Sequence, residues 1–359
     1  MTLRRNNQPI KTTIKDVARL CGVSTQTISR VLNERPDVSP ETRQRVLEVI
    51  NQLGYQPSAL ARSLIQQRSF TLGVIIAGLK YAGISMALNG ITEEADRQGY
   101  SLLIKELPGF DVSDVQPEIR SLISHQVEAI LYAAPECGDN WRKAQAQCPQ
   151  PCPSMVFLKG NPSPGFSTIT VDNYMGAYLA TRHLLDHGCH HIAHVSGPMD
   201  WWEATERYKG WKAALNDAGL APLEQQFAAG NWSSSSGDRA MRQLLENFPE
   251  MDGVFVGNDQ MALGVLHVAS EAGIQIPLQL GVVGFDDLPE APYYTPALTT
   301  VHQDLHMLGT MAVKKAIEML NGIEDGEDGI PNNMVLKPQL IVRQSSLFQQ
   351  KLSFSGTDL

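Results

Sequence analysis

The spacing of apolar positions changes near residue 70, and that change divides the chain. In the stretch 13–33, TIKDVARLCGVSTQTISRVLN, Ile14, Val17, Ala18 and Cys21 recur at helical spacing, and Ile28, Val31 and Leu32 share one side of a second short segment. The pattern predicts two helices joined by a tight turn. Thr13 is placed to cap the first, its hydroxyl accepting a free N–H, while the Asp16 carboxylate answers the positive helix end. Gly22 ends that helix at positive φ, and Ser24 caps the next. Ser39 and Pro40 open a third helix, Glu41–Leu53, because proline's missing N–H costs nothing in a first turn. Val46, Val49, Ile50 and Leu53 face inward, and Gly54 stops it. Tyr55-Gln56-Pro57 then breaks regular structure. Ser58–Ile65, SALARSLI, holds good helix formers but no core of its own, and is too short to be helical alone in water. It reads either as a plain linker or as a hinge that becomes helical on DNA, with Leu64 as a wedge between base steps.

From Thr71 the pattern is different. TLGVIIAG is a continuous apolar run, as expected of a strand buried on both faces. Helix Ile84–Gln98, strand Tyr100–Glu106, helix Val112–Gln126, strand Ala129–Ala133, a helix near Asn140–Gln147 and strand Ser154–Leu158 follow. A second series begins near Ile169. Helix Tyr174–His187 leads to strand His191–Ser196, and helix Thr205–Ala218 to a short strand near Phe227. Helix Gly237–Glu246 leads to strand Gly253–Gly257, and helix Gln260–Ala272 to strand Gly281–Phe285. Alternation of this kind predicts parallel sheets covered on both sides, and two series predict two similar lobes.

Charge sharpens the division. The net charge is −9, but residues 1–68 hold eleven Lys/Arg against five Asp/Glu, and the remainder eighteen against thirty-three. A basic front of +6 on an acidic body of −15 points to an anionic partner for the front alone, and DNA fits it better than a membrane. No run of about 18 apolar residues is present, so no transmembrane helix is expected. The opening MTLRRNNQPIKTT has no apolar segment behind its basic residues, so a cytoplasmic location is expected. Five cysteines are an odd number for a disulfide framework. Cys148 and Cys152 flank prolines and are expected as free thiols. His187, Cys189, His190, His191 and His194 are interrupted by Gly188 and alternate along a strand, so no metal site is expected.

Two sets of residues carry candidate chemistry. Thr25, Gln26, Ser29 and Arg30 lie on the polar side of the second helix, where an amide and a guanidinium suit base edges in the major groove. An ordinary helical hairpin with a solvated face has the same pattern. In the α/β body, polar residues follow the strands: Asp172 and Asn173, the run SGPMDWWE at 196–203, Asn258 and Asp259, and Asp286 and Asp287. Ligands bind at the carboxyl ends of such strands, although any one of these residues also suits a helix cap. With Trp201, Trp202, Trp232 and Arg207 they describe a polar cleft with aromatic walls, which suits a sugar.

The sequence resembles the LacI/GalR family of bacterial transcription repressors over nearly its whole length. The matching stretches are TIKDVARLCGVSTQTISRVLN, VSPETRQRVLEVINQLGYQPSALARSL, the run GNDQMALG, GVVGFDD and the run LTTVHQDLHMLG. The resemblance implies an all-α helix-turn-helix headpiece (1–57), a hinge helix and linker (58–69), a two-lobed α/β ligand-binding and dimerisation domain like periplasmic binding proteins (70–345) and a tail (346–359). The N-lobe would take about 70–170 and 303–331, the C-lobe about 171–302 and 332–345. It implies a homodimer on a palindromic operator, with Thr25, Gln26 and Arg30 reading bases. Thr13, Ser24, Thr27, Ser29, Asn33 and Tyr55 would hold phosphates or flank the site, and Ser58, Ala61 and Leu64 would act from the hinge. Arg207, Trp232, Asn258, Asp286 and Gln303 match sugar-binding positions of galactoside-responsive members. Four positions depart from that pattern. Lys159 stands in place of an aspartate, and either prefers a different or acidic sugar or points away. Trp201-Trp202 replaces small residues, and Leu305 an aromatic ring. The tail lacks a leucine heptad, which favours a dimer over a tetramer.

The expected function is a repressor of a carbohydrate-utilisation operon, released by a small sugar, with no cofactor. The alternative is a corepressor-type regulator holding a purine-like ligand. Catalysis is not expected: Asp286 and Asp287 are adjacent on a strand end and point apart, and no phosphate loop, nucleophile elbow or metal motif is present.

Overall fold

The structure is a computed structural model that describes residues 12–32, 35–55, 67–110, 112, 114–322 and 333–347. It separates into two compact units, Met1–Ser69 and Phe70–Leu359. Asn33, Ser58, Ala61, Leu64 and residues 348–359 of the tail lie outside the described residues.

The first unit has helices α1 (Ile14–Cys21), α2 (Thr25–Leu32) and α3 (Pro40–Leu53). Val17, Ala18, Cys21, Ile28, Val31 and Val46 form its core, with Ile14, Val49, Ile50, Leu53 and Tyr55 packed around them. Gly22 takes φ 63° and closes α1, and the Ser39 hydroxyl accepts from the Thr42 N–H to open α3. Thr13 opens α1 in a capping box with Asp16. Its hydroxyl and its N–H both donate to the Asp16 carboxylate, at 2.7 and 3.0 Å. The ionised carboxylate strengthens both bonds, because a charged acceptor bonds more strongly. The Arg43 guanidinium ties α3 to α2 by donating to the Val31 and Arg35 carbonyls.

The second unit contains two six-stranded sheets. In the N-lobe, β1 (Thr71–Ala77), β2 (Ser101–Leu107), β3 (Ala129–Tyr132), β4 (Ser154–Leu158) and β5 (Ser167–Val171) alternate with α4 (Ala82–Arg97), α5 (Gln116–Ser124) and α6 (Asn140–Gln147). The C-lobe continues through α7 (Asn173–Asp186), β6 (Ile192–Ser196), α8 (Trp202–Asp217), β7 (Phe227–Ala229), α9 (Ser234–Asn247), β8 (Gly253–Val256), α10 (Asp259–Glu271), β9 (Gly281–Asp286) and β10 (Thr299–His302). Helix α11 (Leu305–Leu320) then returns to the N-lobe, followed by β11 (Asn333–Leu336) and β12 (Gln339–Ile341). The strand orders are β11-β5-β4-β3-β1-β2 and β12-β10-β9-β8-β6-β7. Among the described residues every pairing between these strands is parallel except β10 with β12. Helix α11 lies so close to α4 that a Cβ on Gly90 would meet the His306 carbonyl oxygen at 2.0 Å, and one on Gly309 the Ala87 carbonyl oxygen at 2.1 Å.

The structure corrects several expectations. The return to the C-lobe does not begin near 332, because β11 extends the N-lobe sheet beside β5; the chain crosses at Lys337 and Pro338, and β12 and the residues after it join the C-lobe. Ser346 does not begin a free tail: it is buried, its hydroxyl donating to Thr299 at 2.7 Å and lying 2.8 Å from His183. Helix α5 is shorter than expected because Pro117 fixes its first turn. Cys148 and Cys152 are joined in a disulfide rather than free. Helix α6 ends at Gln147, and the turn that follows brings their Cα atoms to 5.6 Å, inside the span of about 4.4–6.8 Å that a disulfide bridges.

Candidate functional site

Two surfaces gather the candidate residues. The first is the outer face of α2. Thr25, Gln26 and Arg30 are exposed and Ser29 half-buried, while Ile28 and Val31 point into the core. The helix starts with the Ser24 hydroxyl accepting from the Thr27 N–H at 3.1 Å, and the two hydroxyls lie 2.9 Å apart. The guanidinium of Arg30 pairs with Asp37 at 3.2 Å on the surface, an interaction of small strength in water that a stronger acceptor can replace. Tyr55 is half-buried against the same core, and burial raises its phenol pKa. Thr13 is engaged in the start of α1.

The second surface is a small cavity between the lobes of the second unit, the kind of interlobe position where small-molecule sites commonly form. Lys159 reaches it from the end of β4, Trp201 and Arg207 from the start of α8, Trp232 from the loop after β7, Asn258 from the cap of α10 and Asp286 from the end of β9. All lie at or beyond the carboxyl ends of strands, where crossover loops converge in this architecture. Lys159 therefore points into the cleft and is buried. Trp202 and Gln303 do not line it. Trp201 stays extended at the helix start while Trp202 enters the first turn, where its N–H donates to the Glu136 carbonyl. Gln303 is buried and donates to Asp286 at 2.6 Å, bracing the carboxylate.

Charge inside the cleft is paired. The Lys159 ammonium is 3.3 Å from Glu203, and the Arg207 guanidinium is 3.9 Å from both Glu203 and Asp286. Arg207 also donates to Asn173 at 2.8 Å and to the Gly257 carbonyl, and lies 3.8 Å over the Phe285 ring. Burial lowers the Arg207 pKa, against the pull of Asp286 and Glu203. Burial pushes the Asp286 carboxyl up to about 6, opposed by Arg207 and Lys159. Behind it, burial holds Asp259 well above the usual carboxylate range, where it accepts from the Thr300 hydroxyl and the Leu288 N–H.

The backbone is strained at the same place. Among the described residues seven non-glycines have positive φ, and three line the cleft: Lys159 at 69°, Trp232 at 69° and Asp286 at 115°. Such conformations cost of order 1–3 kcal/mol each and persist where surrounding structure imposes them. The Trp232 indole N–H and the Gln303 carbonyl oxygen are buried without a hydrogen-bond partner, which leaves one donor and one acceptor unsatisfied at or behind the cleft wall. The Trp232 ring fills the space over Gly197, where a Cβ would meet it at 2.1 Å.

Sequence reasoning placed Glu203 only as the last residue of the run 196–203 and did not assign its pairing with Lys159 and Arg207. Its spacing of four from Arg207 on a helix was the available signal. Tyr81 and a strap between the lobes were missed. Cys137 and Trp201 form an antiparallel bridge, Gly138 N–H donates to the Asp200 carbonyl at 3.2 Å, and Trp201 packs edge-on against Phe110 at 4.4 Å. Other candidates serve the fold. Asp172 caps α7. Asp287 turns away from Asp286 to accept from Arg343 at 2.7 Å. His194 stacks on Phe255 and is pushed down to about 4 by burial. Among the described residues no group of three or more His, Cys, Asp or Glu is placed to hold a metal, and no helix is long and apolar enough to cross a membrane.

Comparison with known proteins places this geometry. Residues 13–58 match the family described as bacterial regulatory proteins, lacI family, and residues 181–346 match the periplasmic binding protein-like domain. The chain is 35% identical to the ribose operon repressor of Escherichia coli K12 over 309 residues, 86% of this chain and 93% of that protein. It is 33% identical to the transcriptional repressor PurR of Glaesserella parasuis over 336 residues, 93% of this chain and 98% of that protein. Among solved structures, the lac repressor dimer bound to operator and the anti-inducer ONPF superposes with a TM-score of 0.80 at 29% identity, covering 94% of this chain and 99% of that one. The complex of the regulator CelR with cellobiose superposes with a TM-score of 0.67 at 27% identity, covering 93% and 99%.

Proposed function

The chain belongs to the lacI family of bacterial regulatory proteins, and from that premise we propose that it represses a carbohydrate-utilisation operon and leaves its operator when a small, galactoside-like sugar binds between the lobes. As a member of that family it is a DNA-binding transcriptional repressor with a ligand-sensing domain. The observation that carries the sugar reading is the convergence of Arg207 and Asp286 beside the Trp232 ring. A planar donor and a carboxylate suit neighbouring hydroxyls, and an indole face suits the C–H side of a pyranose. The ribose operon repressor and the cellobiose complex among its relatives support the same class.

In this reading two copies pair, and two α2 helices enter successive major grooves of a palindromic operator. Gln26 and Arg30 read base edges, and Thr25 tunes the preference. Ligand and DNA are linked: sugar lowers operator affinity, so DNA lowers sugar affinity by the same factor. Operator titrations with and without lactose, cellobiose or ribose test this directly. Unchanged sugar affinity at saturating DNA would sink the mechanism, and sedimentation of the full chain with and without operator tests the pairing.

A purine-like corepressor is the second reading, favoured by the PurR relatives. Against it, Trp201 and Trp232 meet at 61° with ring centres 5.6 Å apart, so they frame no parallel slot for a flat base. The sign of the effect separates the two, since a corepressor tightens operator binding.

A further inference from the structure

We propose that Glu203 sets the charge specificity of the cleft: by masking Lys159 it makes the site select an uncharged polyhydroxyl ligand and reject an acidic sugar or sugar phosphate. This rests on the sugar reading above and adds the sign of charge the ligand carries.

A buried lysine lining an interlobe cavity would, taken alone, invite a carboxylate or a phosphate. Its surroundings remove that invitation. The Lys159 ammonium faces the Glu203 carboxylate at 3.3 Å, and both side chains are over nine-tenths buried. Arg207 faces the same Glu203 oxygen at 3.9 Å and Asp286 at 3.9 Å. Among the described residues the cleft lining thus holds two cations and two carboxylates, and the Asp259 carboxyl behind them is held toward its neutral form by burial. An anionic ligand would add a third negative charge to two positive ones in a site shielded from water, where an uncompensated charge is costly. It cannot displace Glu203 into solvent, because the carboxylate sits in the first turn of α8 between both cations. A neutral polyol meets no such cost. It offers hydroxyls that both donate and accept, which suits a wall carrying an ammonium, a guanidinium, a carboxylate and the unpartnered Trp232 N–H.

The closing test uses the full chain. Calorimetric affinities are compared for matched neutral and acidic probes: galactose against galacturonate, glucose against glucose 6-phosphate, and adenine against AMP. The wild type is expected to bind the neutral member of its preferred pair at least tenfold more tightly. Glu203→Gln, nearly the same shape, is expected to move that ratio at least tenfold toward the acidic member, and Lys159→Met with Glu203→Gln to return the preference to the neutral one. An acidic sugar bound as tightly as its neutral partner overturns the proposal while leaving the sugar reading standing. Adenine bound in preference to every sugar overturns the sugar reading while leaving charge selection standing. Thermal unfolding of the two single variants and the double variant gives a readout without ligand. Masking requires that Lys159→Met restore stability lost in Glu203→Gln, and strictly additive losses overturn it.

Discussion

The outer face of α2 and the interlobe cleft are both candidate recognition surfaces, and they are built in opposite ways. The α2 face comes from one stretch of eight residues whose polar side chains are exposed while Ile28 and Val31 carry the packing. The cleft is assembled from several separate loops, and its charged groups are buried and hold one another in place. Recognition and stability are therefore separable on α2 and coupled in the cleft. A side chain on α2 is free to change its partner without unfolding anything. A charged side chain in the cleft is at once a candidate ligand contact and a counter-charge.

The largest test of that contrast is Arg207→Ala. It strips Glu203 and Asp286 of their shared cation, and removing one partner from a buried charge cluster costs about 3–5 kcal/mol. Denaturant unfolding should show the loss in the second unit along with loss of ligand binding; a stable variant that merely fails to bind would break the coupling argument. Gly197→Ala comes next. Its methyl would enter the Trp232 ring at 2.1 Å, and overpacking of this kind costs about 1–3 kcal/mol. Ligand affinity should fall with it, and a normal melting temperature would show that the indole shifts freely.

On α2 the expectation reverses. Gln26→Ala or Arg30→Ala should each lose about 1–3 kcal/mol of preference for operator over random DNA, while stability changes by only about 0.5 kcal/mol, as at other exposed positions. Gel-shift titrations on both DNAs beside thermal melts check this, and equal loss on random DNA would remove the base-reading role.

The smallest effect is a dependence on pH. Asp286 protonates near 6 in the fold against an ordinary 3.8. Between those values the folded state binds more protons than the unfolded one, so this group favours folding at acid pH and the benefit fades as pH rises through about 6. Asp286→Asn, neutral throughout, should therefore be tolerated better at pH 7.5 than at pH 4.5 relative to the wild type. A difference in melting temperature that does not vary with pH would show that Arg207 and Lys159, not burial, govern the carboxyl.

Much of the architecture was legible in the residue pattern. Apolar periodicity, Gly22, Ser39-Pro40 and Gly54 mark the three helices, because caps and amphipathic faces act over only a few residues. The alternation after Thr71 marks two parallel α/β lobes for the same local reason. Most cleft residues were legible too, since each follows a strand. The pattern did not show that β11 would pair with β5, that Trp201 would face the cavity and Trp202 leave it, or that Cys148 would close on Cys152. Lys159 is the clearest case. Its charge was plain in the sequence, but its meaning depended on Glu203, forty-four positions away and brought to 3.3 Å. Local order follows from neighbours along the chain. The sign of charge a buried site presents depends on which distant side chains share its volume, and only the packed lobes decide that.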